Sequence, residues 1–284
     1  MNQTFGVIGG DRRQKDLAEL LKEDGATVHT YGLVPGSDGD AASLEAAVQA
    51  EHIILPLPLS KEEGILNGEG EPLPLPILFS RLRPEQCILA GQVKPGEQEE
   101  ASRHGLRIKD YFLREELTVS NAAATAECAI QSAMERLERT LLGQEVLVLG
   151  FGRIGKLLSF RLQGLGCRVT ATARKPSDLA WIRAYGYRAL ETGRLTGCLS
   201  PFGVVFNTVP APVLDDTLLA QLPPGCLCVD LASKNGIDPA AAEDLGIPFL
   251  WARFLPGRLA PRTAAAAIRE AVYNILSEER GERA

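Results

Sequence analysis

The sequence predicts an α/β protein with two Rossmann-like, doubly wound parallel sheets that are joined by long helices. Short apolar runs alternate along the chain with amphipathic stretches of helical length, as expected for the strands and crossover helices of parallel sheets. The order strand, glycine turn, helix, strand occurs twice, beginning near residue 4 and again near residue 145. With 284 residues, the chain is long enough for two domains of ordinary size.

The first occurrence of this pattern predicts an N-terminal α/β domain over residues 1–118, with a substrate-binding or catalytic role. A loop is predicted at 36–40. The other elements predicted here are strands at 4–8, 26–31, 52–55, 87–91 and 106–110 and helices at 15–24, 41–50, 77–82 and 97–104.

Asp11 occupies the glycine turn that follows the first predicted strand. Its carboxylate would repel a phosphate, so this turn is not interpreted as a dinucleotide site. Two interpretations stay open for the neighbouring cations. Either Arg12 and Arg13 hold a small carboxylate ligand at the helix N-terminus, or Asp11 caps the helix and both arginines are exposed.

Ser60 lies in a polar stretch, rich in glycine and proline, that follows the strand predicted at 52–55. Ligands of open α/β sheets bind beyond the carboxyl ends of the strands. Ser60 is therefore a candidate ligand contact, although most serines in loops only form turns.

An alanine-rich stretch at 119–142 predicts a long helix between the two domains, with Asn121 near its start and Gly143 just after its end. Two interpretations of Glu127 stay open. On such a helix it could reach a ligand, or it could be a surface charge that pairs with an arginine.

The second occurrence of the pattern contains a G-x-G-x-x-G motif between an apolar strand at 146–149 and a helix at 156–164. In this setting the first glycine permits a tight turn, the second lets the backbone approach a pyrophosphate, and the third lets helix and strand pack closely. Unpaired N–H groups at the helix N-terminus bind the anion. The predicted dinucleotide-binding residues are Gly150, Phe151, Gly152, Arg153, Ile154 and Gly155.

The end of the next predicted strand, at 167–173, indicates which dinucleotide binds. NAD sites place an acidic residue about 20 residues after the glycines, on the ribose 2′-hydroxyl. Here the corresponding residues include Arg174, Lys175 and Ser177, with no acid before Asp178. Two cations and a hydroxyl suit a 2′-phosphate, so the sequence predicts NADP. The alternative is that both cations are solvated surface charges.

Strands predicted at 204–207 and 227–230 end at the same edge of the sheet as the glycine motif. The residues that follow them are the expected walls of the cofactor pocket in an NADP-binding domain over 143–263. These residues are Asn207, Thr208, Val209, Pro210, Asp230, Ala232 and Ser233. A loop is predicted at 255–263, and a final helix at 264–284 is expected to return to the first domain.

Composition and charge exclude several classes of protein. Hydrophobic residues make up 45% and charged residues 23% of the chain, as in soluble globular proteins. A net charge of −6 gives no reason to expect nucleic acid or an anionic membrane as a partner, and we expect neither a membrane span nor a secretory signal. The six cysteines include no second pair at zinc spacing, so we expect free thiols in a reducing cytoplasm and no metal.

Several motifs are spread over nearly the whole chain. The most specific are GGDRRQ at 9–14, DLAS at 230–233, and LPG with APRTA within 255–264. The others are Ile54-Leu55-Pro56, Asn121, Thr125-Ala126-Glu127, VLGFGRIG at 148–155, Ala173-Arg174 and Asn207-Thr208-Val209-Pro210. Together they resemble the family of the dipicolinate synthase A chain. The sequence departs from the family pattern at 122–124 and 234–238, which concerns the fit of the substrate more than the cofactor.

The resemblance implies a two-domain architecture like that of formate and glycerate dehydrogenases, with an NADP-linked oxidation. Its product would be the small dicarboxylate dipicolinate, made from dihydrodipicolinate or hydroxytetrahydrodipicolinate at a branch of the lysine pathway. It also implies that this protein works with the dipicolinate synthase B chain, in the cytoplasm of the mother cell during sporulation. We further expect a homo-oligomer.

The implied reaction removes one hydride and one proton from a substrate with two carboxylates. The candidate carboxylate-binding residues are Arg12 or Arg13 and, from the C-terminal loop, Arg258 or Arg262. Glu127 is the candidate acid or base.

Two other functions stay open. A 2-hydroxyacid dehydrogenase of similar build would need a histidine in the cofactor domain, but no histidine follows His104. An NADP-binding protein with a regulatory or structural role would bind the cofactor without chemistry of its own.

Overall fold

The computed structural model describes residues 3–33, 43–69 and 71–281, so the loop predicted at 36–40 lies outside the described residues. The chain divides into two compact units. Unit 1 comprises Met1–Asn121 and Pro256–Ala284, and unit 2 comprises Ala122–Leu255. Each unit contains one parallel sheet. The predicted fold class, α/β with two doubly wound parallel sheets, is confirmed.

The secondary structure of the described residues alternates between strands and helices in both units. The strands are β1 (Thr4–Ile8), β2 (Thr27–Tyr31), β3 (His52–Ile54), β4 (Cys87–Ala90), β5 (Ile108–Asp110), β6 (Glu145–Leu149), β7 (Arg168–Ala173), β8 (Arg188–Glu191), β9 (Val204–Asn207), β10 (Leu227–Asp230) and β11 (Phe249–Trp251). The helices are α1 (Arg12–Glu23), α2 (Leu44–Ala47), α3 (Leu75–Phe79), α4 (Pro95–Arg103), α5 (Glu115–Met134), α6 (Arg153–Gly164), α7 (Pro176–Ala184), α8 (Asp216–Leu219), α9 (Pro239–Asp244), α10 (Leu255–Leu259) and α11 (Pro261–Glu279).

The sheet of unit 1 has the strand order β2-β1-β3-β4-β5. Its order reverses between β1 and β3, and ligands of open parallel sheets bind beyond the strand ends at such a reversal. One core of this unit joins the inner face of α1, including Leu17 and Leu21, to Ile268 and Val272 of α11. An ion pair of 3.0 Å between Asp24 and Arg269 also links these elements. The C-terminal helix therefore completes the unit that the N-terminus begins.

The sheet of unit 2 has the order β11-β10-β9-β6-β7-β8. Numbered from the first strand of the unit and read from the β8 edge, this is the 3-2-1-4-5-6 order of dinucleotide-binding folds, with its reversal between β6 and β9. Buried Leu147, Val205 and Cys228 lie on one face of these central strands in a common apolar core. The sheet therefore brings the ends of β6 and β9 side by side.

The helix predicted at 119–142 is wrong at both ends, because α5 spans Glu115–Met134. The division between the units falls inside this helix, after Asn121. Tertiary contacts explain its early end. Leu141 is buried at 3% exposure, and the Gly143 N–H donates to the Gly166 carbonyl at 2.9 Å. These contacts attach the segment before β6 to unit 2 and override its helix propensity.

Two other elements differ from the sequence prediction. The predicted loop at 255–263 is wrong, because it contains α10 and the start of α11, where Pro261 occupies a first-turn position that suits proline. Strand β8 was not predicted. It lies at the edge of its sheet and has no fully buried residue, so it lacks the apolar run that marks the central strands.

Among the described residues, no helix combines the length and the apolar character that a membrane crossing requires.

Candidate active site

The turn between β6 and α6 carries the glycine motif and lies at the strand-order reversal of unit 2. Gly150 has a φ of +92°, a left-handed conformation that favours glycine, and its N–H donates to Thr172 Oγ1 at 3.1 Å. A Cβ on Gly155 would collide with the Gly150 carbonyl oxygen, whereas a Cβ on Gly152 would meet no atom within 4 Å. The turn is therefore closely packed on its inner side and open at Gly152.

The N-terminus of α6 is available to an anion. Its N-cap residue is Gly152, which has no side chain to accept the first N–H groups, and its first turn contains no acidic residue. Unpaired N–H groups and the positive end of the helix dipole are what binds a pyrophosphate. The residues of this turn therefore fit a dinucleotide.

Phe151 contributes to the turn differently from the prediction. Its ring lies 6.2 Å from that of Tyr185 and 6.3 Å from that of Tyr187, and Phe151 is only 6% exposed. Its side chain is thus part of an aromatic cluster, and only its backbone lines the turn. Ile154 is half-buried and Arg153 is exposed at the start of α6.

Arg174 and Lys175 directly follow β7 and are both exposed. No carboxylate in the described part of the chain pairs with either of them, and Glu191 on the neighbouring strand pairs with Arg194 at 3.2 Å. Lys175 is the N-cap of α7 and forms no side-chain cap, and the exposed Ser177 belongs to the first turn of that helix. Two uncompensated cations and an uncapped helix N-terminus thus favour an anion at this strand end.

Asn207 and Asp230 brace two loops instead of lining a pocket. Both are 0% exposed, and Asn207 Nδ2 donates to Asp230 Oδ1 at 2.8 Å. Asp230 also accepts the N–H groups of Ala232 at 2.9 Å and Gly236 at 2.8 Å. The prediction that their side chains form the cofactor wall is therefore wrong, because their polar atoms already have partners inside the unit.

The other residues of these two loops remain candidates for the cofactor wall. Thr208 Oγ1 donates to the Leu149 carbonyl at 2.8 Å, which fixes the end of β9 against that of β6. Val209 is half-buried, whereas Pro210 and Ser233 are exposed. The carbonyl of the buried Ala232 accepts from Trp251 Nε1 at 3.0 Å.

In unit 1, the turn between β1 and α1 is closed by its own side chains. Asp11 is the N-cap of α1, accepting the Arg13 N–H at 3.0 Å, and forms a capping box with Gln14. Arg13 Nε and Nη2 donate to Asp11 at 2.9 and 2.8 Å, and Nη2 also donates to the Leu57 carbonyl. A Cβ on Gly257 would lie 3.0 Å from Arg13 Nε, so the LPG motif packs on this ion pair.

This geometry corrects both interpretations of the turn. Asp11 is the helix cap, but Arg13 is only 6% exposed and not a surface cation. Its donors are bound within unit 1, so it is also not a ligand-binding arginine. Arg12 is exposed and has no carboxylate partner among the described residues.

The two candidate arginines of the C-terminal segment differ in the same way. Arg262 pairs with Glu23 at 2.8 Å and with Glu19 at 3.6 Å, so its expected role in substrate binding is not supported. Arg258 is exposed at the last turn of α10 and pairs with no carboxylate in the described ranges. Arg12 and Arg258 thus remain the candidates from the predicted set.

Ser60 lies in a cluster of polar side chains. It is 2% exposed, donates to Glu97 Oε1 and accepts from Lys94 Nζ at 3.0 Å. Lys94 directly precedes α4, and its N–H donates to Glu97 Oε2 at 2.8 Å. Sequence reasoning missed Lys94 and Glu97. Their position after a strand end was a usable signal, but the contact of Lys94 with Ser60, 34 residues away, was not visible in the sequence.

Glu127 forms an exposed ion pair with Arg161 of α6, at 2.8 Å, and its side chain is 67% exposed. Of the two interpretations that the sequence left open, this geometry favours the paired surface charge. The partner lies on another helix and not along α5.

Comparison with known proteins assigns the family. The family profile for the N-terminal domain of the dipicolinate synthase A chain matches residues 4–112. The profile "D-isomer specific 2-hydroxyacid dehydrogenase, NAD binding domain" matches residues 113–241. The dipicolinate synthase A chain of Bacillus subtilis (strain 168) is 29% identical over 288 residues, which cover 98% of the present sequence and 97% of that protein. This protein belongs to the dipicolinate synthase A-chain family.

Solved structures agree with this family assignment. The crystal structure of the dipicolinate synthase A chain from Bacillus subtilis has a TM-score of 0.86 and 28% identity, and the match covers 100% of the present sequence and 98% of that one. D-lactate dehydrogenase from Escherichia coli has a TM-score of 0.60 at 15% identity, covering 97% of each chain, and shows a likeness of fold alone. A nicotinamide-binding dehydrogenase domain and an oxidoreductase role follow for this family member.

Proposed function

We propose that this protein oxidises dihydrodipicolinate, or its hydroxytetrahydro precursor, to dipicolinate with NADP⁺ as the hydride acceptor. The observation that carries the proposal is the uncapped N-terminus of α6, next to the unpaired cations Arg174 and Lys175. Neutral glycines suit the pyrophosphate, and a bidentate guanidinium suits a 2′-phosphate. The family assignment supports the choice of substrate.

The residues of the chain would contribute binding and orientation. Bound NADP⁺ supplies the hydride acceptor. Gly152 and the first turn of α6 would hold the pyrophosphate, while Arg174 and Lys175 would hold the 2′-phosphate. Thr208, Val209 and Ser233 lie on the loops at the same sheet edge and are proposed contacts of the cofactor. Arg12 and Arg258 are proposed to bind substrate carboxylates, and the released proton passes to water or to a base.

A 2-hydroxyacid dehydrogenase is the less favoured function, although the profile of that class matches residues 113–241. Proton removal from a hydroxyl group in such enzymes requires a general base, most often a histidine. All three histidines of this chain, His29, His52 and His104, precede residue 105. Aromatisation of a dihydropyridine needs no such base at a hydroxyl.

The purified protein should be mixed with NADP⁺ and freshly prepared dihydrodipicolinate, with and without the dipicolinate synthase B chain, its proposed partner. We expect NADPH absorbance and dipicolinate to appear in equal amounts. Absence of both with the partner present, while NADPH still binds, contradicts the enzymatic function and favours a regulatory role. D-lactate and D-glycerate serve as control substrates that should not be oxidised.

A further inference from the structure

The cluster of Ser60, Lys94 and Glu97 in unit 1 combines a half-exposed ammonium with two buried polar partners. The Lys94 side chain is 51% exposed, whereas that of Glu97 is 7% exposed. An ammonium has three N–H donors. Ser60 Oγ lies 3.0 Å from Lys94 Nζ, but Glu97 Oε1 is 3.7 Å away, beyond a normal hydrogen bond. Within the described ranges, two of the three donors therefore remain for a ligand.

Glu97 orients Lys94 while its own oxygens are engaged by other donors. One oxygen accepts from the Ser60 hydroxyl, and the other accepts from the Lys94 backbone N–H at 2.8 Å. Helix α4 begins at Pro95, directly after Lys94, and its N-terminus adds a partial positive charge at the same place. These features favour an anion beside Lys94 Nζ.

The loop that carries Lys94 is fixed by its surroundings. Gln92 has a φ of +55°, a left-handed conformation that is uncommon for a residue with a side chain. Asp110 stabilises it by accepting the Gln92 N–H at 3.0 Å and the Val93 N–H at 2.9 Å. A Cβ on Gly91 would lie only 2.6 Å from Tyr111 Cε2. Such enforced strain is found at ligand-binding loops, where it holds a functional group in place before the ligand arrives.

Lys94 follows β4 and Ser60 follows β3, so two neighbouring strands bring the cluster to the carboxyl edge of the sheet. Ligands of open parallel sheets bind along this edge. We propose that Lys94 binds one carboxylate of the substrate, with Ser60 and Glu97 as positioning residues. The inference rests on the proposed function and adds a substrate-binding residue to it.

The test measures binding of two ligands separately, by titration calorimetry on the full chain. Pyridine-2,6-dicarboxylate probes the Lys94 site, and NADPH probes unit 2. The variants are Lys94→Met, Lys94→Arg and Ser60→Ala, with Lys22→Met as the matched control. Lys22 is an exposed lysine in the last turn of α1, which returns to the amino edge of the sheet. Melting temperatures show whether each variant folds.

We expect Lys94→Met to weaken dicarboxylate binding about tenfold or more, because hydrogen bonds to charged groups are among the stronger ones. Lys94→Arg should retain more affinity than Lys94→Met, and Ser60→Ala should fall between the methionine variant and the unmodified chain. NADPH binding should not change. Unaltered dicarboxylate affinity in folded Lys94→Met and Lys94→Arg overturns the inference and leaves the proposed function intact. An unmodified chain that neither binds the dicarboxylate nor oxidises the substrate overturns both.

Discussion

The β1–α1 turn of unit 1 and the β6–α6 turn of unit 2 occupy equivalent positions in two doubly wound sheets, yet they have opposite chemistry. In unit 1, the Asp11 carboxylate caps α1 and Arg13 neutralises Asp11, so the helix N-terminus is occupied from within. In unit 2, Gly152 leaves the N-terminus of α6 without a cap. The fold supplies a phosphate site at both places, and the N-cap residue decides whether it is available.

The largest expected effect comes from making the second turn like the first. Gly152→Asp should place a carboxylate over the N-terminus of α6, since Gly152 has an extended backbone and open space around a Cβ. We expect NADPH binding to fall about 100-fold or more, while thermal stability stays equal or rises through the new cap. Gly152→Ala is the control that adds a Cβ without the charge. Equal losses in both variants, measured by calorimetry, would show that bulk and not capping decides.

Removing the internal neutralisation of the first turn comes next. Arg13→Ala should lower the free energy of unfolding by roughly 2 kcal/mol, below the usual range for a buried pair because the Asp11 side chain is 29% exposed. Arg12→Ala, at an exposed neighbouring site, should change it by less than about 0.5 kcal/mol. Urea unfolding of both variants measures this difference. If Arg13→Ala keeps its stability but loses dicarboxylate binding, Arg13 is a ligand-binding residue after all.

A smaller effect is expected at the end of β7, where unit 2 has unpaired cations. Arg174→Ala should reduce the preference for NADPH over NADH about tenfold, because a bidentate contact to the 2′-phosphate is lost. Arg183→Ala, which removes an exposed arginine from α7, is the matched control. Dissociation constants for both nucleotides decide the outcome. An unchanged ratio in Arg174→Ala would refute the phosphate assignment.

The smallest effect concerns pH, because all histidines of the chain belong to unit 1. Burial of His52 lowers its pKa, outweighing the opposite influence of Glu51, and Arg280 lowers it further. The unfolded state therefore binds the proton more readily, so stability is full above pH 6.5 and falls as pH decreases through the lowered pKa. His52→Leu should flatten this dependence in denaturation curves, and replacement of the exposed His29 by Gln should not. Equal slopes in both variants would assign the effect elsewhere.

The fold was largely predictable from sequence because its strands are buried on both sides and appear as apolar runs. The exceptions are edge strand β8, with no fully buried residue, and α5, whose end is set by packing of Leu141. The cofactor turn was predictable because glycine spacing is local. Burial of Arg13 and the contact between Ser60 and Lys94 depend on residues brought together by the fold, Leu57 and Glu97 among them. Residue types alone could not separate bound side chains from available ones.

The most direct test of the division between the two turns is a crystal structure of the full chain with NADP⁺ and dipicolinate bound. We expect the pyrophosphate at the N-terminus of α6, the 2′-phosphate on Arg174 and one dipicolinate carboxylate on Lys94. A pyrophosphate at the N-terminus of α1, or a 2′-phosphate bound away from Arg174, would contradict the account.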